Sequence, residues 1–472
     1  MGRVRAIALT PARLDAALAA VVAATIVAVA LGSSSVPGVV RVGHDLRWVA
    51  LSVFAALAVL SCAVTAERRR LDSVVVWTGG AVVVLLFLSA AWSVAPRLTT
   101  ERAASVAVLL VGVAAAVCGG GRRRLELLCD GILAGAVAVV ALGIPVLVFA
   151  HADAVQSAFE NVAPRYRGIG ENPNTVSLLA AVVLPLAVRH VTAPRTSRGR
   201  ALGGIAVIAL AVQIVFSDSR GALAAGLLGS LFVVFLIAGS WRRALLWSVA
   251  VVAVMVVVVV VAEKVQQPSP ASTSAATTAA TTAGTPTTTA PGAPGKTASV
   301  SSGTGAPAPD YPGRLADEVG RPRIHTPVGR PFGSGRLQAW IGALHQALKV
   351  PLLGYGFGTE DRVFIDRYYI FEGSRPENSF LGLMLQVGLV GLALFAALLV
   401  AVAALVWRRG ARCPCDPLLA AALAAGAAGV VLMCVQSYVY SVGNIAALSF
   451  WLCIGVCAVQ IPLSNADSGG RR

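Results

Sequence analysis

Long apolar runs fill most of the chain, joined by short polar links, with one polar stretch far longer than the others. A helix needs roughly 17 to 25 apolar residues to cross about 30 Å of hydrocarbon. Runs of that kind fall at 14–32, 47–65, 74–92, 103–118, 131–149, 174–189, 201–217, 221–238, 245–262, 379–406, 417–437 and 444–461. The pattern predicts an all-α polytopic membrane protein of about twelve transmembrane helices. The long polar stretch, Lys264 to Asn378, then separates the ninth span from the tenth. The expected division is a membrane domain at 1–262, a loop insert at 263–332, an ordered segment at 333–378, three further spans over 379–461 and a tail at 462–472.

Composition agrees, because 57% hydrophobic and 13% charged residues do not describe a soluble domain. The formal charge of +16 is mostly topology. Short cytoplasmic loops are enriched in Lys and Arg, and every second junction is basic: Arg3 to Arg13, Arg68 to Arg70, Arg122 to Arg124, Arg189 to Arg200, Arg242 with Arg243, Arg408 to Arg412, and Arg471 with Arg472. Both termini are therefore expected in the cytoplasm, with the long stretch and the links near Ser93, Arg165 and Ser217 outside. Basic residues spread over separate turns do not make a nucleic-acid groove, so no nucleic-acid partner is expected. The basic start before Leu14 is read as part of a retained anchor, since a span-length run and further spans follow. No external disulfide framework is expected, and the Cys413-Pro-Cys415 pair lacks nearby ligands for a metal.

Inside the long stretch, Gln266 to Pro309 is almost all Thr, Ala, Pro, Ser and Gly. Such a segment cannot bury enough apolar surface to offset the entropy of ordering. It reads as a disordered linker or a glycosylated stalk. Order is expected to resume at Gly333, where Ser334 can cap a helix carrying Leu337, Trp340, Ile341, Leu344 and Leu348 on one face. Arg336 in its first turn opposes the helix dipole. An anionic ligand would explain it, and so would a solvated position on a membrane-surface helix. Pro351 then stops that helix, and Gly354, Gly356 and Gly358 allow a tight turn, against a ligand or otherwise.

Two more external junctions present arginine. Arg220, in Ser217-Asp-Ser-Arg-Gly221, sits between spans, where an arginine costs roughly 2.5 to 3.5 kcal/mol unless partnered or snorkelled. It is either an anion ligand or an interfacial partner of Asp218. Arg165, Arg167, Asn172 and Asn174 lead into the sixth span, and either asparagine also fits as a helix cap. Guanidinium groups from several junctions suit a diphosphate, which they bind in bidentate fashion.

The runs Gly170-Glu-Asn-Pro-Asn174, Ser219-Arg220-Gly221, Gly335-Arg336 with Trp340, Pro351-Leu-Leu-Gly-Tyr-Gly-Phe-Gly358 and Glu377-Asn378-Ser-Phe-Leu381 before Gly388-Leu-Val-Gly391 together resemble the O-antigen ligase and polymerase superfamily. The resemblance covers roughly 168–392. It implies inverting transfer of a glycan from a polyprenyl diphosphate carrier to a hydroxyl of a glycan or glycolipid acceptor, at the outer face of the cytoplasmic membrane. It implies no cofactor, no metal and no nucleotide sugar, with membrane lipid as the surrounding partner. By carry-over Arg220 and Arg336 bind the diphosphate, while Arg165, Arg167, Asn172, Asn174, Arg375 and Asn378 are substrate-binding candidates.

The chain departs from this family at the final cap, where members commonly carry histidine and this chain has Glu377. A glutamate serves as base if it reaches the acceptor hydroxyl and burial raises its pKa. The same residue also fits as a helix-start acid, with His345 or His325 supplying the base. A transporter or flippase of lipid-linked glycan is the alternative class. It predicts two-half repetition and broken helices at mid-membrane, and no such repetition is visible. A lipid-phosphate-sugar transferase would usually show an acidic pair in the first external loop, where His44-Asp45 is a poor match.

Overall fold

The computed structural model describes residues 10–65, 68–157, 164–266, 336–364, 376–410 and 416–460. The chain divides into two compact units, 1–259 with 322–472, and 260–321. The second unit is described only over 260–266, and everything below concerns the first.

The described part is helical: α1 (Pro11–Gly32), α2 (Pro37–Val64), α3 (Ser73–Leu88), α4 (Pro96–Cys118), α5 (Arg122–Phe149), the short α6 (His151–Ala154), α7 (Pro173–Thr192), α8 (Ser197–Phe216), α9 (Arg220–Ile237), α10 (Trp241–Gln266), α11 (Arg336–Ala347), the single turn α12 (Glu360–Val363), α13 (Ser379–Gly410), α14 (Pro417–Met433) and α15 (Ala447–Ala458). A two-stranded antiparallel ribbon pairs Val155–Gln156 with Arg165–Tyr166. Local chemistry sets many of the starts. Pro11, Pro37, Pro96, Pro173 and Pro417 open helices, where the missing N–H costs nothing. Asp72, Asn172, Thr196 and Asp416 accept from backbone N–H groups as caps.

Among the described residues ten helices are long and apolar enough to cross a membrane, and α14 and α15 are shorter. Helices stand at both of the places expected at 417–437 and 444–461, with bounds a few residues tighter. The chain leaves helix at Met433 and resumes it at Ala447, and the irregular piece between them lines a cavity. Non-helical backbone at such a place is tolerated only against protein or a polar cavity. Helix α7 lies at the centre, with almost every residue from Val176 to Arg189 buried, packed by α8, α9 and α14. Helices α1 and α2 meet through Gly32 and Gly43, where a Cβ on Gly43 would stand 2.2 Å from the carbonyl carbon of Leu31.

The tenth span is broken. Gly388 within α13 has φ 64° and ψ −166°, a conformation open to glycine and not to side-chain-bearing residues. A break strands backbone groups on both sides, and the Pro351–Gly358 segment satisfies them. The Leu389 and Val390 amides donate to the carbonyls of Pro351 and Leu352, while the Tyr355 and Gly356 amides donate to those of Leu385 and Gln386. Contact is close enough that a Cβ on Gly388 would lie 2.2 Å from the Leu352 oxygen, and one on Gly354 would lie 2.6 Å from the carbonyl carbon of Gln386. The tight glycine turn thus packs against the chain's own broken helix. The same segment reaches the α3–α4 corner, where Trp92 donates to the Leu353 carbonyl at 3.0 Å.

Candidate functional site

A cavity of about 390 Å³ opens where α1 ends, α7 and α13 begin, and the 434–446 connection crosses between α14 and α15. These ends belong to one side of the alternating helices, the side whose links lack the basic clusters. The turn between α1 and α2 is stitched to the approach of α7, with the Glu171 amide donating to the Ser33 carbonyl at 2.6 Å and Ser35 Oγ to that of Asp153 at 2.6 Å. This brings Ser33 beside Glu171, Asn172 and Asn174 on the cavity wall.

Of the residues expected at a site, Glu377, Asn172 and Asn174 line this cavity. Glu377 has φ 49°, a left-handed conformation rare for a residue with a side chain. Asn172 also caps α7, accepting from the Asn174 amide at 2.9 Å. Asn378 is a cap: its Oδ1 accepts from the Phe380 and Leu381 amides at 3.0 and 3.1 Å, and its Nδ2 donates to the Cys434 carbonyl at 2.9 Å. It therefore ties the start of α13 to the irregular connection. Arg165 spans two junctions, donating to the Ser217 and Asp218 carbonyls at 2.8 and 3.1 Å and to Asn174 Oδ1 at 3.2 Å. Arg167 is turned to the Asp153 and Ala152 carbonyls, at 2.7 and 2.8 Å, and burial lowers its pKa, partly opposed by Asp153.

Arg220 opens α9 and is exposed, and among the described residues no ion pair joins it to Asp218, which itself has φ 48°. It does not line the cavity, although a Cβ on neighbouring Gly221 would touch Val435 at 2.7 Å, next in sequence to the lining Gln436. Arg336 opens α11 and also lies off the lining. Arg375, His325 and the Cys413 to Cys415 pair fall outside the described residues, as does most of the Thr-Ala-Pro stretch. His345 is exposed and away from the cavity wall.

The buried face of α11 differs from the expected one. Leu337, Ile341, Leu344 and Leu348 are exposed, while Ala339, Ala343 and Ala347 pack with Met384 and Leu385 of α13. Small residues allow two backbones to approach closely, whereas large apolar side chains tolerate an outward position where the surroundings are lipid.

The cavity also contains residues that the sequence patterns did not single out. Arg47 stands about 15 Å along α2 from Pro37 at 1.5 Å per residue. It bonds His44 Nδ1 at 2.9 Å and lies over Trp48 at 5.4 Å, and its Nε is buried without a hydrogen-bond partner among the described residues. Arg102 is neutralised by Asp361, at 3.3 and 3.5 Å to the two carboxylate oxygens, and also donates to the Gly358 carbonyl. Glu360, almost wholly buried, accepts from Tyr440 Oη at 3.0 and 2.9 Å, Ser437 Oγ at 3.3 Å and Gln386 Nε2 at 3.4 Å. Arg47 and Arg102 stood at the borders of predicted spans, and Tyr440 fell in a gap between two, so periodicity gave them no weight. Among the described residues no group of three His, Cys, Asp or Glu is placed to hold a metal.

Fold and cavity together define a polytopic helical membrane protein with a polar, charge-bearing pocket built at helix ends. Residues 205–396 match the family model described as O-antigen ligase. Comparison with curated proteins gives no match. Among solved structures, one chain described under "Structural coordination of polymerization and crosslinking by a peptidoglycan synthase complex" aligns at 16% identity and a TM-score of 0.38, covering 82% of this chain and 98% of its own.

Proposed function

We propose that the protein is a cell-envelope glycosyltransferase of the ligase or polymerase kind, moving a glycan from a polyprenyl diphosphate carrier to an acceptor hydroxyl at the outer face of the cytoplasmic membrane. The observation that carries this reading is Glu377 on the wall of a polar cavity inside the family-matched stretch. Diphosphate is already a good leaving group, so the main task is to stabilise the negative charge that develops on it. Arg220 and Arg336 take that role by resemblance, and Arg47 adds a cation from inside the cavity. The acceptor oxygen attacks the anomeric carbon opposite the diphosphate, and the carbon–oxygen bond to the carrier breaks with its electron pair leaving on the phosphate. Glu377 accepts the hydroxyl proton, and the reaction inverts the anomeric centre without metal or cofactor.

The test is turnover of lipid-linked donor by purified Arg220→Ala, Arg336→Ala and Glu377→Gln. Each is expected to fall about a hundredfold or more, the scale of losing one oriented charge or base. Full activity in a correctly inserted arginine variant would remove the diphosphate clamp. One observation favours a flippase instead: the break at Gly388, since transporters place broken helices at mid-membrane. Covalent transfer by the purified protein separates the two.

A further inference from the structure

Helices α2 and α4 run side by side in one direction and share a seven-residue register. At the end away from the cavity, a Cβ on Gly119, just past α4, would stand 2.7 Å from Cys62 Cα, and one on Gly112 would stand 3.2 Å from Ala55 Cα. The steps from 62 to 55 and from 119 to 112 are equal, and that spacing returns a packed helix to the same face. One further step reaches Trp48 on α2 and Ser105 on α4. Both of these line the cavity, and Trp48 is 41% exposed. Glycine lets two backbones touch, whereas an indole needs room. On its other flank α2 is sealed against α1 by the Gly32 and Gly43 contact.

Trp48 also marks a boundary. The three turns before it carry Arg41, His44, Asp45 and Arg47, and no charged residue follows until α2 ends at Val64. That uncharged run is about 25 Å long at 1.5 Å per residue, close to the thickness of the hydrocarbon layer. Tryptophan favours the edge of that layer, where the lipid headgroups begin. Arg47 therefore stands at headgroup depth, inside a cavity. It is threaded between two glycines: a Cβ on Gly32 would lie 3.2 Å from its Cδ, and one on Gly443 would lie 3.0 Å from its Nη1. Among the described residues it hydrogen-bonds His44 alone, and its buried Nε has no partner. Arg102, another cation on the wall, is paired with Asp361. An arginine held at such a depth without a carboxylate is placed to serve an anion.

We propose that the seam between α2 and α4 is the doorway and resting groove of the lipid-linked donor. The diphosphate lies on Arg47 inside the cavity, and the isoprenoid tail leaves over Trp48, between the two helices, into the bilayer. This rests on the glycan-transfer reading above and adds the route by which a lipid reaches a cavity walled by helices. A polyprenyl diphosphate carries its charge at headgroup level and its tail below, the same division that Arg47 and Trp48 make on adjacent residues. The guanidinium offers phosphate two parallel donors. The cavity holds about 390 Å³ and is lined by Asn172, Asn174, Gln436 and Asn444. That gives space and hydrogen-bonding amides to a glycan head, which an ordinary phospholipid lacks.

The test uses the full chain in phosphatidylcholine nanodiscs and an undecaprenyl diphosphate analogue with a diazirine on its first isoprene unit, its cross-links located by peptide mass spectrometry. Labels are expected within 45–53 and 102–109. They should fall when unlabelled undecaprenyl diphosphate is added and persist when undecaprenol or phosphatidylglycerol is added instead. Labels confined to other helices, no labels, or suppression by phosphatidylglycerol would each overturn the proposal. Arg47→Gln is expected to cut labelling about tenfold, and Arg47→Lys to recover part of it. Should Arg47→Gln fail to fold, Ser105→Trp decides, since it fills the seam and leaves Arg47 in place: lost labelling supports the doorway and unchanged labelling overturns it. Seam labelling by a protein that turns over no lipid-linked glycan from its native membrane would sink the transfer reading alone. Turnover with labels elsewhere would sink the doorway alone.

Discussion

Arg124 shows how a charge counted towards topology can be underread. It belongs to a basic cluster of the kind that marks a cytoplasmic turn, yet its guanidinium is fully buried, bonded to Asp15 Oδ1 at 2.6 Å and to Ser61 Oγ at 2.6 Å. Gly119 and Gly120 make the room, since a Cβ on either would meet the guanidinium at 2.2 or 2.6 Å. Removing one partner of a buried pair leaves a charge without compensation, at a cost of about 3 to 5 kcal/mol. Asp15→Ala is therefore expected to lower the unfolding temperature of the detergent-solubilised protein markedly, whereas Arg123→Ala, an exposed neighbour in the same run, should leave it within a degree or two. A similar blind spot hid Arg47, Arg102 and Glu360. Their meaning depends on partners from distant parts of the chain, and a single residue in a sequence does not declare its partner.

Helix existence was well advertised by span-length apolar runs and by opening prolines, but helix faces were not. In α11 the leucine stripe promised a buried face, and the alanines are the ones that pack. The expected consequence is an inverted mutational pattern: Ala343→Leu should cost about 1 to 3 kcal/mol through overpacking, while Leu344→Ala should be nearly neutral in thermal unfolding. The break in α13 makes a second demand. Gly388→Ala forces a side chain into a left-handed position and against the Leu352 carbonyl, so a loss of about 2 kcal/mol or more is expected, with donor turnover falling along with it. Wild-type stability in that variant would argue against the broken geometry. Gly388 stood in a quoted motif, but a motif names a position without saying what presses on it.

At the level of the molecule, the cavity draws on α1, α2, α4, α7, α13 and the 434–446 connection, so it exists only when the bundle is assembled. The alternation of basic links predicts its side. A single cysteine placed at Ser441, in a cysteine-free background, should react with an impermeant thiol reagent added outside intact cells, and one placed at Arg198 should react only after permeabilisation. The reverse result would invert the topology. About twelve helices were legible from hydropathy, because the bilayer imposes its thickness on every span. The shortness of α14 and α15 was not, since apolar residues continue past the helix ends into a connection whose backbone is held by protein.

The clamp between the Pro351–Gly358 segment and the two halves of α13 also works as mechanical insulation. Chain entering from the Thr-Ala-Pro stretch must pass through α11 and then through a turn anchored on both sides of the Gly388 break before reaching Glu360. Shortening 269–320 to a brief Gly-Ser linker should accordingly leave donor turnover within about twofold of the parent, the small change expected when only loop-closure entropy is altered.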